Sequence, residues 1–137
     1  MDGEDRKTII ASEHVVWPNA VSVDEISERL YWVDGKLGYL GSSNLDGSDM
    51  RQIITTNLRT SFGLAVFENT VYWTQTSGRV FKADKKDGSN LQEIRGAFFA
   101  TFAVQINHPS YKLPGKNNCY NLQNEEETTL HNKRETK

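Results

Sequence analysis

The sequence contains almost no cysteine and no long apolar segment. Cys119 is the single cysteine among 137 residues, so no disulfide can form within the chain. No apolar run approaches the roughly 18–20 residues that a membrane-spanning helix needs, and residues 1–10 lack the apolar core of a signal peptide. Taken alone, these absences indicate a soluble cytosolic protein, but an internal repeat favours a piece of a longer chain.

Strong charge and the signatures of enzymes are also missing. Sixteen Lys and Arg against eighteen Asp and Glu leave a formal net charge of -2, which attracts neither nucleic acid nor an anionic membrane. The sequence has no G-x-S-x-G, H-E-x-x-H, P-loop or G-x-G-x-x-G motif. Cys119 lies in a polar segment without a histidine beside it. The sequence therefore predicts no enzyme, no cofactor and no metal site.

What the sequence does contain is an internal repeat. Tyr31-Trp32 recurs 41 positions later as Tyr72-Trp73, and Asp46-Gly47 recurs at the same spacing as Asp87-Gly88. A partial third copy opens the chain, since Met1-Asp2-Gly3 resembles the segment that ends in Asp46-Gly47. Several anchors at one spacing are typical of repeat architectures.

Each unit predicts four short strands, because β-branched and aromatic residues fill short runs between turn residues. Asp-Gly pairs fall between the third and fourth strands, where Gly can take positive φ and Asp can bond the turn backbone. The predicted strands are Ala20–Asp24, Arg29–Asp34, Leu37–Ser43 and Arg51–Thr55, then Gly63–Phe67, Thr70–Gln75, Arg79–Asp84 and Leu91–Ile94. Single further strands are expected at Lys7–Ala11 and Phe102–Asn107.

The Tyr-Trp pairs indicate how these sheets pack. Neighbours on a strand face opposite sides, so Tyr31 and Trp32 place bulky groups on both faces of one sheet. Radially stacked blades cover both faces of a sheet, whereas a sandwich leaves one face polar. A period in the low forties with four strands per unit therefore predicts an all-β propeller.

The repeat pattern ends near Asn107. His108-Pro109 and Pro114-Gly115 interrupt strand structure, and the residues that follow are rich in Asn, Glu, Thr and Lys. We therefore expect a partial propeller over residues 1–114 and a disordered polar tail over residues 115–137.

Leu30-Tyr31-Trp32-Val33-Asp34 and Val71-Tyr72-Trp73-Thr74-Gln75 resemble the YWTD, or class B, repeats of the low-density lipoprotein (LDL) receptor family, in particular receptors of the LDL, VLDL and vitellogenin type. The resemblance covers nearly all of residues 1–119. It implies the last two blades of a six-bladed propeller. Cys119 would then match the first cysteine of the EGF-like module that follows the propeller.

The same resemblance implies a function and a location. The parent would be a cell-surface and endosomal receptor whose extracellular propeller helps to release cargo in acidic endosomes. Its partners would be protein ligands of the lipoprotein or vitellogenin type, or the receptor's own ligand-binding repeats. No nucleic acid is implied, and the membrane would be reached only through parts that lie outside this sequence.

Two residues match family positions that contact a ligand-binding repeat folded back on the propeller at acidic pH. Trp17 and Lys36 would form a hydrophobic and cationic docking patch, or else Trp17 fills a gap between blades and Lys36 is solvated. The family's two acid-sensing histidines fall at Gly38 and Thr60, which cannot titrate. His14, in the loop before a strand, could substitute as the pH sensor.

Two positions depart from the family pattern. Gln75 stands where the motif has Asp, and Lys86 replaces an apolar residue of the other copies. Asn44–Asp49 is too short for a calcium loop and lacks its distal Glu, so a turn is expected. Asp24 and Glu68 lie near inner strands, but two carboxylates without a further ligand fall short of a metal site.

Two alternatives remain open at this stage. A Wnt co-receptor propeller binds extracellular protein ligands on its face, and a six-bladed propeller hydrolase uses carboxylates around its channel. A bound metal or esterase activity would favour the hydrolase. We also expect that this chain alone does not form a closed monomeric ring, because closure needs further blades.

Overall fold

The computed structural model describes residue 4 and residues 6–56, 58–96 and 102–107. These residues form eight strands in two meanders of four. The first meander consists of β1 (Pro18–Asp24), β2 (Arg29–Asp34), β3 (Tyr39–Asn44) and β4 (Arg51–Ile54). The second consists of β5 (Ser61–Phe67), β6 (Thr70–Gln75), β7 (Arg79–Asp84) and β8 (Gln92–Gly96).

Each meander is one antiparallel four-stranded sheet, in the orders β1-β2-β3-β4 and β5-β6-β7-β8. Adjacent strands pair with their neighbours in sequence, as in the blades of a propeller. The described residues contain no helix, and so none that could cross a bilayer. The all-β prediction and the division into two four-stranded units are confirmed.

The uniform period of 41 residues conceals two compensating changes in length. Trp32 pairs with Gly41, nine residues later, whereas Trp73 pairs with Phe81, eight residues later, because the β6–β7 turn is one residue shorter. The β7–β8 turn then restores the register with one extra residue. The amide of Gly47 bonds the carbonyl three residues before it, whereas that of Gly88 reaches four residues back.

The Asp-Gly turns are stabilised by side chain and backbone together. Asp46 Oδ1 accepts hydrogen bonds from the Ser48 amide at 2.9 Å and the Ser48 hydroxyl at 2.6 Å. Asp87 accepts from the Ser89 amide in the same way. Gly47 has φ 89° and Gly88 has φ 73°, and residues with a side chain rarely adopt such positive values.

The hydrophobic core lies between the two blades. Tyr31 and Val33 of β2 face the second blade, while Leu64 of β5 and Val71 and Trp73 of β6 face the first. Trp32 lies on the opposite face of the first blade, and both it and Tyr31 are 2% exposed. The Tyr-Trp pair therefore does cover both faces of its sheet.

The two motif tryptophans have different surroundings. Trp32 donates its Nε1–H to the Tyr39 hydroxyl at 3.1 Å and lies over Gly41, where an added Cβ would come within 2.6 Å of the ring. Trp73 instead stacks on Phe81 with ring centroids 5.5 Å apart. Its buried Nε1 has no partner among the described residues, because the position equivalent to Tyr39 is occupied by Arg79.

The strands expected at Lys7–Ala11 and Phe102–Asn107 are not strands in the structure, because neither segment has a partner strand in the described region. The Ile9 carbonyl nevertheless lies against Gly47 as the Ile53 carbonyl lies against Gly88. The first segment therefore runs where the outer strand of a preceding blade would run.

The outward face of the first blade is open along β1, although Trp32 of β2 is buried there. Val21 and Val23 of β1 are 62% and 45% exposed, whereas the equivalent Leu64 and Val66 of β5 are buried against the first blade. Phe102 is 60% exposed but is not without a partner, since it packs edge-on against Phe62 at 5.4 Å. The expectations for Cys119, for the boundary at residues 114/115 and for the tail concern residues outside the described part of the chain.

Candidate functional site

Four chain segments meet at one edge of the two blades: the residues before β1, the β2–β3 turn, the residues before β5 and the β6–β7 turn. Antiparallel pairing brings the residues just before β1 beside the end of β2, and the residues just before β5 beside the end of β6. The Gly35 amide bonds the Trp17 carbonyl, and Thr76 bonds Thr60 in the same manner. The β2–β3 turn, residues 35–38, thus lies next to the segment that precedes β1.

Asp34, the last residue of the first YWTD-like motif, holds this edge together. Its Oδ2 accepts from the amides of Val16 at 2.6 Å and Trp17 at 2.9 Å. Its Oδ1 accepts from the amides of Lys36 at 2.9 Å and Leu37 at 2.7 Å. One buried carboxylate therefore fixes both segments that carry the docking candidates.

The hydrogen bonds to Asp34 also set its protonation. Burial by itself raises the pKa of a carboxyl group, but the amides of Leu37, Val16, Trp17 and Lys36 together outweigh burial. The pKa of Asp34 therefore lies below its ordinary value, and the carboxylate stays ionised at neutral and endosomal pH.

Trp17 and Lys36 come together at the surface. The Lys36 ammonium lies 4.8 Å from the centre of the Trp17 ring, a cation–π contact. Trp17 is 59% exposed, so its ring does not fill a gap between the two described blades. An exposed indole beside a cation can pack against an apolar group and bind a carboxylate at the same time.

Arg59, which the sequence did not single out, joins them. Its NH1 donates to the Lys36 carbonyl at 3.3 Å. The Arg59 side chain also packs over Gly38, because a Cβ added to Gly38 would lie 3.2 Å from Arg59 Cγ. Gly38, one of the two positions at which the family resemblance implies a histidine, thus lies under this arginine. Thr60 lies beside Arg59 in sequence, and its carbonyl is bonded.

His14 occupies the loop that leads to Trp17. Its carbonyl accepts a hydrogen bond from the Tyr39 hydroxyl. Its imidazole is 49% exposed and lies 3.8 Å from the Glu13 carboxylate. The histidine is therefore anchored through its backbone, and the ring faces a neighbouring glutamate.

Two polar contacts join the blades. Asn19 of β1 donates to the Ser61 carbonyl at 2.9 Å, which ties the two inner strands together. Asp24, at the end of β1, accepts from the Lys85 ammonium at 2.5 Å, and both side chains are largely buried. Although burial raises the Asp24 pKa, the bonds from Lys85 and Ser27 hold it below its ordinary value.

The carboxylates considered for a metal site do not converge. Asp24 is paired with Lys85, and Glu68 lies in the β5–β6 turn with φ 51°. Within the described ranges, no group of three His, Cys, Asp or Glu side chains could hold a metal ion.

The chain contains two meanders of four antiparallel strands, each with a YWTD-like motif, and the two sheets stack face to face. This arrangement defines a fragment of a β-propeller. The family model of the low-density lipoprotein receptor repeat class B matches residues 28–68. The chain therefore carries the class B, or YWTD, repeat of the LDL receptor, and the predicted family is confirmed. That family is a receptor family and not an enzyme family.

The chain is similar to several receptors. It is 32% identical over 121 residues to vitellogenin receptor Yl of Drosophila melanogaster. This match covers 88% of the present chain and 6% of that receptor. It is 31% identical to the vitellogenin receptor of Solenopsis invicta, with 88% and 7% covered. It is 32% identical to the sortilin-related receptor of Homo sapiens, with 87% and 5% covered. The chain thus spans only 5–7% of the length of these receptors.

A solved structure shows the same fold. A chain in the crystal structure of a nidogen/laminin complex superposes with a TM-score of 0.64 and 20% sequence identity. The match covers 72% of this chain and 39% of that chain. At this identity the likeness concerns the fold alone.

Proposed function

We propose that this chain is part of the extracellular propeller of an endocytic receptor of the lipoprotein or vitellogenin type, and that it docks an acidic protein segment. The docking surface is the loop-edge patch, formed by Trp17, Lys36 and Arg59. In the parent receptor, docking there competes with cargo and so takes part in its release. The observation that carries the proposal is the Lys36–Trp17 contact, exposed and held in place by Asp34.

The chemistry of the patch supports an acidic partner. Lys36 and Arg59 supply two cations, joined through the bond from the arginine to the Lys36 carbonyl. Trp17 supplies an exposed apolar ring of the kind that anchors protein interfaces. A partner that places carboxylates beside an apolar side chain would match all three groups.

Trp17→Ala tests the patch directly. We expect binding to an immobilised cysteine-rich ligand-binding repeat of an LDL-type receptor to weaken about tenfold or more, because an exposed aromatic anchor is lost. The melting temperature should change little, since the side chain is largely exposed. Surface plasmon resonance and a thermal melt measure the two effects.

Ile26→Ala is the matched control, since Ile26 is 91% exposed in the β1–β2 turn at the other edge of the blade. It should leave binding unchanged. A loss of roughly 3–5 kcal/mol of stability in Trp17→Ala would show that the ring is a packing residue and would remove it from the site.

The pH response of docking is expected to be small. Asp34, which anchors the patch, remains ionised, and Gly38 and Thr60 have no side chain that titrates. Affinity for the same repeat should therefore agree within a few-fold between neutral pH and about pH 5.5. A tenfold change would contradict this expectation, and its loss in His14→Ala would identify His14 as the sensor.

A further inference from the structure

A pocket opens between the two blades at the edge opposite the loop-edge patch. Its volume is about 380 Å³, within the range of small-ligand sites. Four cationic residues line it: Arg29, Arg51, Lys85 and Lys86. The pocket is formed by the turns of both blades, so neither blade contains it alone.

Nearby carboxylates balance the four cations, yet one cation has no ion pair. Asp49 pairs with Arg29 and Arg51, each at 2.8 Å, and Asp24 pairs with Lys85 at 2.5 Å. Asp84 is the acidic residue in the lining. Among the described residues Lys86 has no ion pair, although bonds from Ser89 and then the charge of Lys86 lower the pKa of the neighbouring Asp87.

The turn with the extra residue supplies this lysine. The β7–β8 turn holds Lys85-Lys86, where the β3–β4 turn has only Leu45 between Asn44 and Asp46. Lys85 uses its charge to join the blades, whereas Lys86 is exposed at the rim. The inserted charge is therefore not needed to close the turn, which the Asp87–Ser89 bond already stabilises.

Several donors in the pocket are unused. Three side-chain groups that line the pocket have no hydrogen-bond partner among the described residues: the Lys86 ammonium, the side-chain amide of Asn69 and the Tyr31 hydroxyl. Asp84 adds an acceptor beside them, since only one of its oxygens is bonded, by the Lys86 amide. The set combines one free cation with neutral donors and one acceptor.

We propose that this inter-blade pocket binds an acidic saccharide, a sugar that carries a sulfate or carboxylate group. Lys86 binds the anionic substituent. Asn69, Tyr31 and Asp84 hydrogen-bond the ring hydroxyls, which a bare inorganic anion does not offer. The site is separate from the loop-edge patch and independent of the function proposed for it.

Calorimetry on the full chain tests this site with four probes: a heparin tetrasaccharide, sialyllactose, lactose and inorganic sulfate. We expect at least one of the two acidic sugars to bind, and neither lactose nor sulfate to bind measurably. The sugar that binds distinguishes a sulfated from a carboxylated ligand. Lys86→Leu, which restores the residue type of the first repeat, should weaken binding about tenfold, as expected for one charge-assisted hydrogen bond.

Lys7→Leu is the control, because Lys7 is also exposed and lies outside the pocket. It should leave the affinity unchanged, and both variants should melt as the parent does. Equal losses in the two variants would mean non-specific charge attraction and would overturn the proposal. So would binding of sulfate alone, binding of lactose as tightly as the acidic sugars, or no binding of either acidic sugar.

Discussion

Replacing Asp34 with alanine is expected to lower the free energy of unfolding by about 3–5 kcal/mol. The substitution removes the acceptor of four backbone amides and leaves them without their partner at the edge of the blade. It should also weaken partner binding, because the segments that carry Trp17 and Lys36 lose their common anchor. Urea denaturation and the plasmon resonance assay measure the two losses.

Asp46→Ala is the control for Asp34→Ala. Asp46 also accepts bonds within a turn, but only from Ser48 and in an exposed position. Its loss should lower stability much less than the loss of Asp34 does. If the two variants lost the same stability, Asp34 would be an ordinary turn residue and not the anchor of the edge.

The contribution of Asp34 should depend on pH in a defined direction. Its pKa is lower in the folded chain than in the unfolded chain. The stabilisation is therefore complete above the unfolded value of about 3.9 and is lost as the pH falls through the folded value. The difference in stability between the parent and Asp34→Ala should be constant near neutrality and shrink in strong acid.

Replacing Lys85 with methionine is expected to lower the free energy of unfolding by about 3–5 kcal/mol at neutral pH. The Asp24 carboxylate, 8% exposed, would keep its charge but lose its counter-ion. Since Lys85 joins the two blades, the substitution should also make the unfolding transition of the two blades less cooperative. Thermal melts monitored by tryptophan fluorescence measure it, because Trp73 lies in the inter-blade core.

Arg51→Met provides the matched comparison for Lys85→Met. It also removes a cation paired with an aspartate, but these two side chains are 52% and 40% exposed. Solvent screens the pair, so the loss of stability should be clearly smaller than that of Lys85→Met. Adding Asp24→Asn to Lys85→Met should recover part of the stability, because the unpaired charge disappears. A double variant no more stable than Lys85→Met would contradict the ion-pair account.

Much of the fold could be predicted from the repeat alone. The Tyr-Trp motifs and the Asp-Gly turns located all eight strands of the two blades within one or two residues of their observed ends. They succeed because a side chain on a strand must alternate between faces, so two adjacent aromatics require cover on both sides. The strands expected at Lys7–Ala11 and Phe102–Asn107 failed because strand pairing depends on a neighbour, which no local pattern supplies.

The candidate site was predicted only in part. The family resemblance pointed to Trp17 and Lys36, and the structure brings them into contact. It gave no sign of Arg59, which reaches the patch from the segment before β5. A family resemblance transfers roles only to matching positions. Arg59 approaches Gly38 from the connection before β5, and this contact forms only because the two blades stack.

The amino-acid sequence by itself determined the class of fold, the number of strands in each unit and the turns between them, because these follow from local periodicity and turn chemistry. Only the tertiary structure decided that Asp34 anchors two segments, that Asp24 pairs with Lys85, and that a pocket lined by four cationic residues opens between the blades. Asp24 and Lys85 are separated by 61 positions. Such pairs become neighbours through the stacking of one sheet on another, which short-range sequence patterns do not encode.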